Sequence, residues 1–311
     1  MALFIETANN ILPVFLIIFL GMFLNRFRFF SESTKDDIVR LVFYVGTPAL
    51  LFHTIAKADL YRSFAPDLIV FLLCAIVLYV FLLIFLCKGI KEPAKKAAVI
   101  QIGFRSNFAI VGMPLAMNLM AEEGVLMTAI ALSFVVILYN ITAVTLLSYY
   151  SGKQRDFKTM LQNIAKNPLI IGTALGLLWS LLKLPLPAIL DKSLATVGDI
   201  ATSMGLLIIG ATITVTGFRQ NQGYIFTALF FRNLLAPALF LGGAILLGFR
   251  GDMLTVTAIL SASPAAVNCF VMAKKMGADP DISAYGVSFS TLLSIASIFV
   301  SIYCLKLFGL V

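Results

Sequence analysis

The sequence predicts an all-α integral membrane protein of ten transmembrane helices, in two halves of five, and three observations predict it. Hydrophobic residues make up 60% of the 311 positions and charged residues only 12%, with a mean hydropathy of +1.01. That is more apolar surface than a soluble core of this length hides, so lipid must cover the remainder. The charges fall in short clusters between apolar runs of about 20 residues, the length of a membrane span. Finally, the fourth run of each half is interrupted by proline.

The apolar runs lie at 4–25, 38–56, 66–87, 94–120, 124–150, 167–183, 196–216, 223–248, 253–276 and 282–308. The first reads as a span rather than a cleaved signal, because Glu6 stands where a positive leader segment belongs. Runs 38–56 and 196–216 carry several polar residues, yet dropping just one of them would scramble the charge pattern. Of the 23 lysines and arginines, 15 fall on one side, 6 on the other, and Arg105 and Arg232 lie within spans. The positive side is cytoplasmic by the positive-inside rule, which places both termini outside a bacterial-type plasma membrane. Orientation accounts for the net charge of +8; without a basic face carrying interleaved aromatics, a nucleic-acid partner is not expected.

The longest polar connection, Ser151–Asn167, divides a first repeat at 1–151 from a second at 167–311, with a cytoplasmic loop at 152–166. An odd number of spans per half means that related halves are inverted relative to each other. The interruptions are Arg105-Ser-Asn107-Phe-Ala-Ile-Val-Gly112-Met-Pro114 in span 4 and Ser261-Ala-Ser-Pro264-Ala-Ala-Val-Asn268 in span 9. Proline removes a backbone hydrogen bond and clashes with the preceding turn, so each span should bend or unwind there. A broken helix exposes free amides and a positive dipole end at membrane depth, where hydrocarbon satisfies neither and an anion satisfies both. A lone proline would read as a packing kink. Two at matching positions, each beside an asparagine, point to a carrier's binding site.

Arg105 and Arg232 sit deep in spans 4 and 8, whereas Asp67, Glu122, Glu123, Asp199, Asp252, Asp279 and Asp281 fall at or near predicted span ends. A buried cation without a carboxylate is a functional candidate, with the substrate as counter-ion; pairing with helix carbonyls or headgroups is the alternative. His53, the only histidine, reads as a packing residue, and Gly172-Thr-Ala-Leu-Gly176 as a close helix contact. The four cysteines have no metal or disulfide spacing, and neither metal nor cofactor is expected. With one histidine and no deep acid, an aspartyl or metal-dependent intramembrane enzyme is excluded, while a serine–histidine pair involving His53 stays open. A cation antiporter of similar architecture would need a deep carboxylate. The residues thus favour a carrier over an enzyme.

Several motifs then carry a resemblance to the auxin efflux carrier family, as a bacterial member of malate or malonate permease type. Asn107-Phe-Ala-Ile-Val-Gly112-Met-Pro114-Leu resembles the family's fourth span, and Pro264 through Phe270-Val-Met-Ala273-Lys274 its ninth. Pro48-Ala-Leu-Leu-Phe-His53, Asn167-Pro168 with Gly176-Leu-Leu-Trp179, and Arg232-Asn-Leu-Leu-Ala-Pro237 resemble its second, sixth and eighth spans, in the family's order. The resemblance implies inverted repeats with helices 4 and 9 crossing at their breaks. It also implies a scaffold of spans 1, 2, 6 and 7, a mobile domain of spans 3–5 and 8–10, alternating access, and a homodimer through spans 2 and 7. Asn107 would contact a carboxylate at the crossover and Pro264 would mark the opposite break. Arg105, Gly112, Pro114, Asn268 and Arg232 complete the candidate site. Ser106 stands where plant members have proline, and span 3 has no interior Asp/Lys pair, so a small metabolite carboxylate is expected rather than auxin.

Overall fold

The computed structural model describes residues 2–57, 64–151, 166, 168–212 and 221–311. Most of the expected cytoplasmic loop, together with Asn167, lies outside the described residues. Among those residues there are helices and no strands. Six helices are long and apolar enough to cross a membrane: Glu32–Ala56, Pro66–Gly89, Glu122–Tyr150, Ala188–Ala211, Gln222–Leu246 and Pro280–Leu307. Four shorter apolar helices accompany them at Phe15–Arg26, Phe108–Leu119, Ile170–Leu181 and Gly251–Ala262.

The elements run α1 (Ala2–Arg26), α2 (Glu32–Leu41), α3 (Thr47–Ala56), α4 (Pro66–Leu86), α5 (Pro93–Phe104), α6 (Met113–Leu119) and α7 (Glu122–Ser151). They continue with α8 (Pro168–Leu181), α9 (Ala188–Thr212), α10 (Gln222–Phe230), α11 (Ala236–Leu246), α12 (Gly251–Ala262), α13 (Asn268–Met276) and α14 (Pro280–Leu307).

Three of the internal prolines are accommodated by π-turns instead of breaks. Val42–Gly46, Phe108–Gly112 and Phe231–Leu235 are π-helical, and each runs directly into a helix with proline in its first turn: Pro48, Pro114 and Pro237. At each junction the residue directly before proline closes the wider turn, with the Thr47, Met113 and Ala236 amides donating back to the Val42, Phe108 and Phe231 carbonyls. The wider turn relieves the clash of the proline ring with the carbonyl four residues earlier. For Pro237 that carbonyl belongs to Asn233, and it accepts a hydrogen bond from Ser297 Oγ at 2.8 Å.

Glycine sets the closest helix contacts. A Cβ on Gly21 would lie 1.8 Å from the Leu207 carbonyl oxygen, and one on Gly210 would lie 1.8 Å from that of Ile18, so α1 and α9 touch backbone to backbone. Gly172 and Gly176 of α8 likewise face Pro48 and Phe52 of α3 at 2.6 and 3.0 Å, which is the close contact their spacing predicts. His53 also bridges elements, its Nε2 lying 2.7 Å from Asp191 Oδ1, while Lys57 Nζ approaches the same oxygen at 3.1 Å. These contacts tie α3 to α9.

One boundary differs from expectation with consequence. α9 begins at Ala188 and not at 196, because Pro185 and Pro187 prevent an earlier start and Asp191 closes the first turn onto the Pro187 carbonyl. Asp199, expected near a span end, therefore lies midway along a 25-residue helix, and it is exposed.

Candidate functional site

The two interrupted spans break and cross. α5 ends at Phe104, and Arg105–Asn107 is non-helical; α12 ends at Ala262, and the chain stays non-helical until Asn268 opens α13. The two unwound stretches satisfy each other's backbone. The Asn107 amide donates to the Pro264 carbonyl at 2.7 Å and the Ala266 amide donates to the Arg105 carbonyl at 3.0 Å. Ser106 and Ala265 thereby form an isolated antiparallel bridge. A third group completes the pairing, since the Ala265 amide donates to Ser290 Oγ of α14 at 3.0 Å. Unpaired backbone at membrane depth costs several kcal/mol per group, so each break stabilises the other.

Pro264 lies inside its break, as expected. Pro114 does not: the unwinding precedes it by several residues, at Arg105–Asn107, and the intervening π-turn carries the chain past the proline. Gly112 sits in that turn with no room for a side chain, since a Cβ would lie 2.4 Å from the Phe108 ring. Both residues shape the segment.

Asn107 and Asn268 come together at one small cavity of about 30 Å³, lined on the crossover side also by Ala266 and Val267 and opposite by Val39, Val42, Phe43, Ile208 and Ile209. Asn107 is 5% exposed, its carbonyl accepts from the Val111 amide at 3.0 Å, and its side-chain Nδ2 is buried with no hydrogen-bond partner. A buried amide nitrogen without an acceptor costs about 1–3 kcal/mol, which an anionic ligand would recover. The π-turn after Asn107 and the helix beginning at Asn268 both start here, which brings two positive dipole ends to the cavity.

The two arginines do not line this cavity. Arg105 donates to Asn140 Oδ1 at 2.8 Å, to the Tyr139 carbonyl at 3.4 Å and to Met272 Sδ at 3.2 Å. Arg232, 1% exposed, donates to the carbonyls of Gly103, Phe104, Leu260 and Ser261. The sequence did not signal these acceptors, because carbonyl partners depend on which helices cross. Among the described residues no group of three or more His, Cys, Asp or Glu could hold a metal.

An all-helical chain with two broken helices crossing at an unpaired amide fits a membrane transport protein. The membrane transport protein family matches residues 7–302, and the chain belongs to that family, the family of the auxin efflux carriers. An uncharacterized transporter of Methanocaldococcus jannaschii is 23% identical over 92% of this chain and 94% of its own. A protein of Rhizobium meliloti named "Putative malonate transporter" is 25% identical over 97% and 96%. The "Probable auxin efflux carrier component 5a" of Oryza sativa is 22% identical over 91% and 92%.

Proposed function

We propose that the protein is a secondary carrier that moves small organic anions, mono- or dicarboxylates, across a bacterial plasma membrane by alternating access. One observation carries this reading: Asn107 lines the crossover cavity, and its buried side-chain nitrogen has no hydrogen-bond acceptor. Two asparagines and two helix starts concentrate donors there without a mobile cation, which favours a carboxylate over a sugar or a cation. The printed names of two relatives, one malonate and one auxin, make carboxylates the class to test first.

The proposed architecture is ten spans in two inverted repeats, 1–151 and 167–311. Six long and four shorter apolar helices support it, because they fall on the ten predicted runs. The backbone contacts of α1 with α9 and of α3 with α8 support a scaffold of spans 1, 2, 6 and 7. The cavity lies between residues of spans 2 and 7 and residues of the crossover, as a mobile domain of spans 3–5 and 8–10 would require. At about 30 Å³ it holds about one water, so a carboxylate enters only when the two sides part. A homodimer through spans 2 and 7 would cover the exposed Leu41, Tyr44, Val45, Val197 and Ile200, and would shield Asp199 from hydrocarbon. Both termini would lie outside.

A cation-coupled antiporter is the second reading, favoured by Asp199, a carboxylate midway along a membrane helix. A thermal-shift screen against carboxylates, sugars, amino acids and sodium, followed by proteoliposome uptake, tests both. Stabilisation by a carboxylate and its saturable uptake support the first reading. Stabilisation by sodium alone, with cation-driven exchange, supports the second.

A further inference from the structure

We propose that Arg232 is the positioning residue of the crossover, a resident cation whose two terminal nitrogens tie the C-terminal ends of both broken helices together. The inference rests on the crossover being the carboxylate site, and adds what holds that site in shape.

A helix end leaves four carbonyls without intrahelical donors and carries a partial negative charge. At the crossover two such ends, those of α5 and α12, converge inside the membrane, where water is absent and the negative ends repel each other. Arg232 answers both. One terminal nitrogen lies 3.1 Å from the Phe104 carbonyl and 3.5 Å from that of Gly103, at the end of α5. The other lies 3.1 Å from the Leu260 carbonyl and also contacts that of Ser261, at the end of α12. A planar fork reaches two helix ends at once; a lysine ammonium is a single point.

The sequence produces this placement. Arg232 occupies the π-turn Phe231–Leu235, which the following Pro237 requires, and the turn is anchored by the Tyr79 hydroxyl of α4 donating to the Phe231 carbonyl. A π-turn shifts the facing of its side chains relative to a regular helix, and here it aims the guanidinium inward. The contacts lie two to three residues before Ser106 on one segment and four to five before Ala265 on the other, so the clamp sets the spacing of the two unwound segments that lead to Asn107 and Asn268. Arg105, bound to Asn140 and Met272, leaves this role to Arg232 alone among the described cations.

The test reads crossover geometry and ligand binding separately. Ser106 and Ala265 are a non-hydrogen-bonded antiparallel pair, whose Cα atoms stand about 4.5 Å apart, within disulfide range. In a background with the four native cysteines replaced, Ser106→Cys with Ala265→Cys should cross-link rapidly with copper–phenanthroline. Adding Arg232→Ala should slow cross-linking at least tenfold, and millimolar methylguanidinium should restore it. Arg232→Lys should fall between, and carries the test if the alanine variant does not fold. Unslowed cross-linking in a folded Arg232→Ala or in Arg232→Lys overturns the clamp, as does failure of methylguanidinium to rescue. Malonate affinity, measured on Arg232→Ala without the cysteine pair, should fall at least tenfold and recover with methylguanidinium. Slowed cross-linking with unchanged malonate affinity would leave the clamp standing and remove the crossover as the binding site.

Discussion

Substituting Gly210 by alanine probes one of the two closest glycine contacts among the described residues. The new Cβ would meet the Ile18 carbonyl oxygen at 1.8 Å and its carbon at 2.8 Å, with the Met22 amide nitrogen at 2.9 Å. Non-bonded carbon and oxygen approach to about 3.3 Å, so α1 and α9 must part by more than about 1 Å. The obstruction is backbone, which cannot rotate aside. Overpacking costs about 1–3 kcal/mol even where side chains adjust, so about 3 kcal/mol is expected here. Gly21 meets Leu207 and Ala211 across the same crossing. The double variant Gly21→Ala/Gly210→Ala should therefore cost clearly less than the sum of the singles, because one separation accommodates both methyls. Gly242→Ala in α11 is the control: nothing lies within 4 Å of its Cβ, and alanine's helix propensity favours it by up to about 1 kcal/mol. Heating in detergent followed by size exclusion, with equilibrium unfolding in mixed micelles, measures all four. Wild-type stability of Gly210→Ala, or full additivity of the pair, would refute the backbone contact.

Ser297→Ala should destabilise by about 1 kcal/mol in the same assay, because it strips the donor from the Asn233 carbonyl that the Pro237 turn frees; no change would mean that this carbonyl is satisfied otherwise. His53→Ala should lose stability in wild type but much less in an Asp191→Asn background, and a double-mutant cycle with zero coupling would contradict the 2.7 Å contact as a stabilising one. On topology, Lys166→Cys should resist an impermeant thiol reagent applied to intact cells while Ala121→Cys reacts, and the reverse pattern would invert the proposed orientation.

The spans were legible in the sequence because length and apolarity alone specify them in lipid, and the Gly172–Gly176 contact because small residues four apart have one common use. Prolines were legible as disturbances but ambiguous in kind. Pro48, Pro114 and Pro237 are each absorbed by a π-turn, whereas the break at Arg105–Asn107 contains no proline and persists because Pro264 and Ala266 on the other broken helix complete its backbone bonds. That partnership spans more than 150 residues and has no local signature. The same holds for His53 with Asp191, and for Arg232, where the sequence left helix carbonyls and a bound anion as alternatives and the geometry supplies four carbonyls. Asp199 was misplaced because hydropathy underweights the polar first turns of α9, although Pro185 and Pro187 mark where that helix can begin.

The central claim is that the unpaired Asn107 amide binds the carboxylate of the substrate, and carboxylate binding to Asn107→Ala tests it most directly. A hydrogen bond to a charged group contributes about 1.5–3 kcal/mol, so affinity for malonate, measured by titration calorimetry, should fall about 10- to 150-fold, and proteoliposome uptake should fall with it. The variant should remain folded, because Asn107 binds Pro264 and Val111 through its backbone alone. Asn118→Ala, at an exposed position on α6 where the side chain bonds only its own helix at Pro114, should bind as wild type does. Equal malonate affinity in Asn107→Ala and wild type would contradict the account.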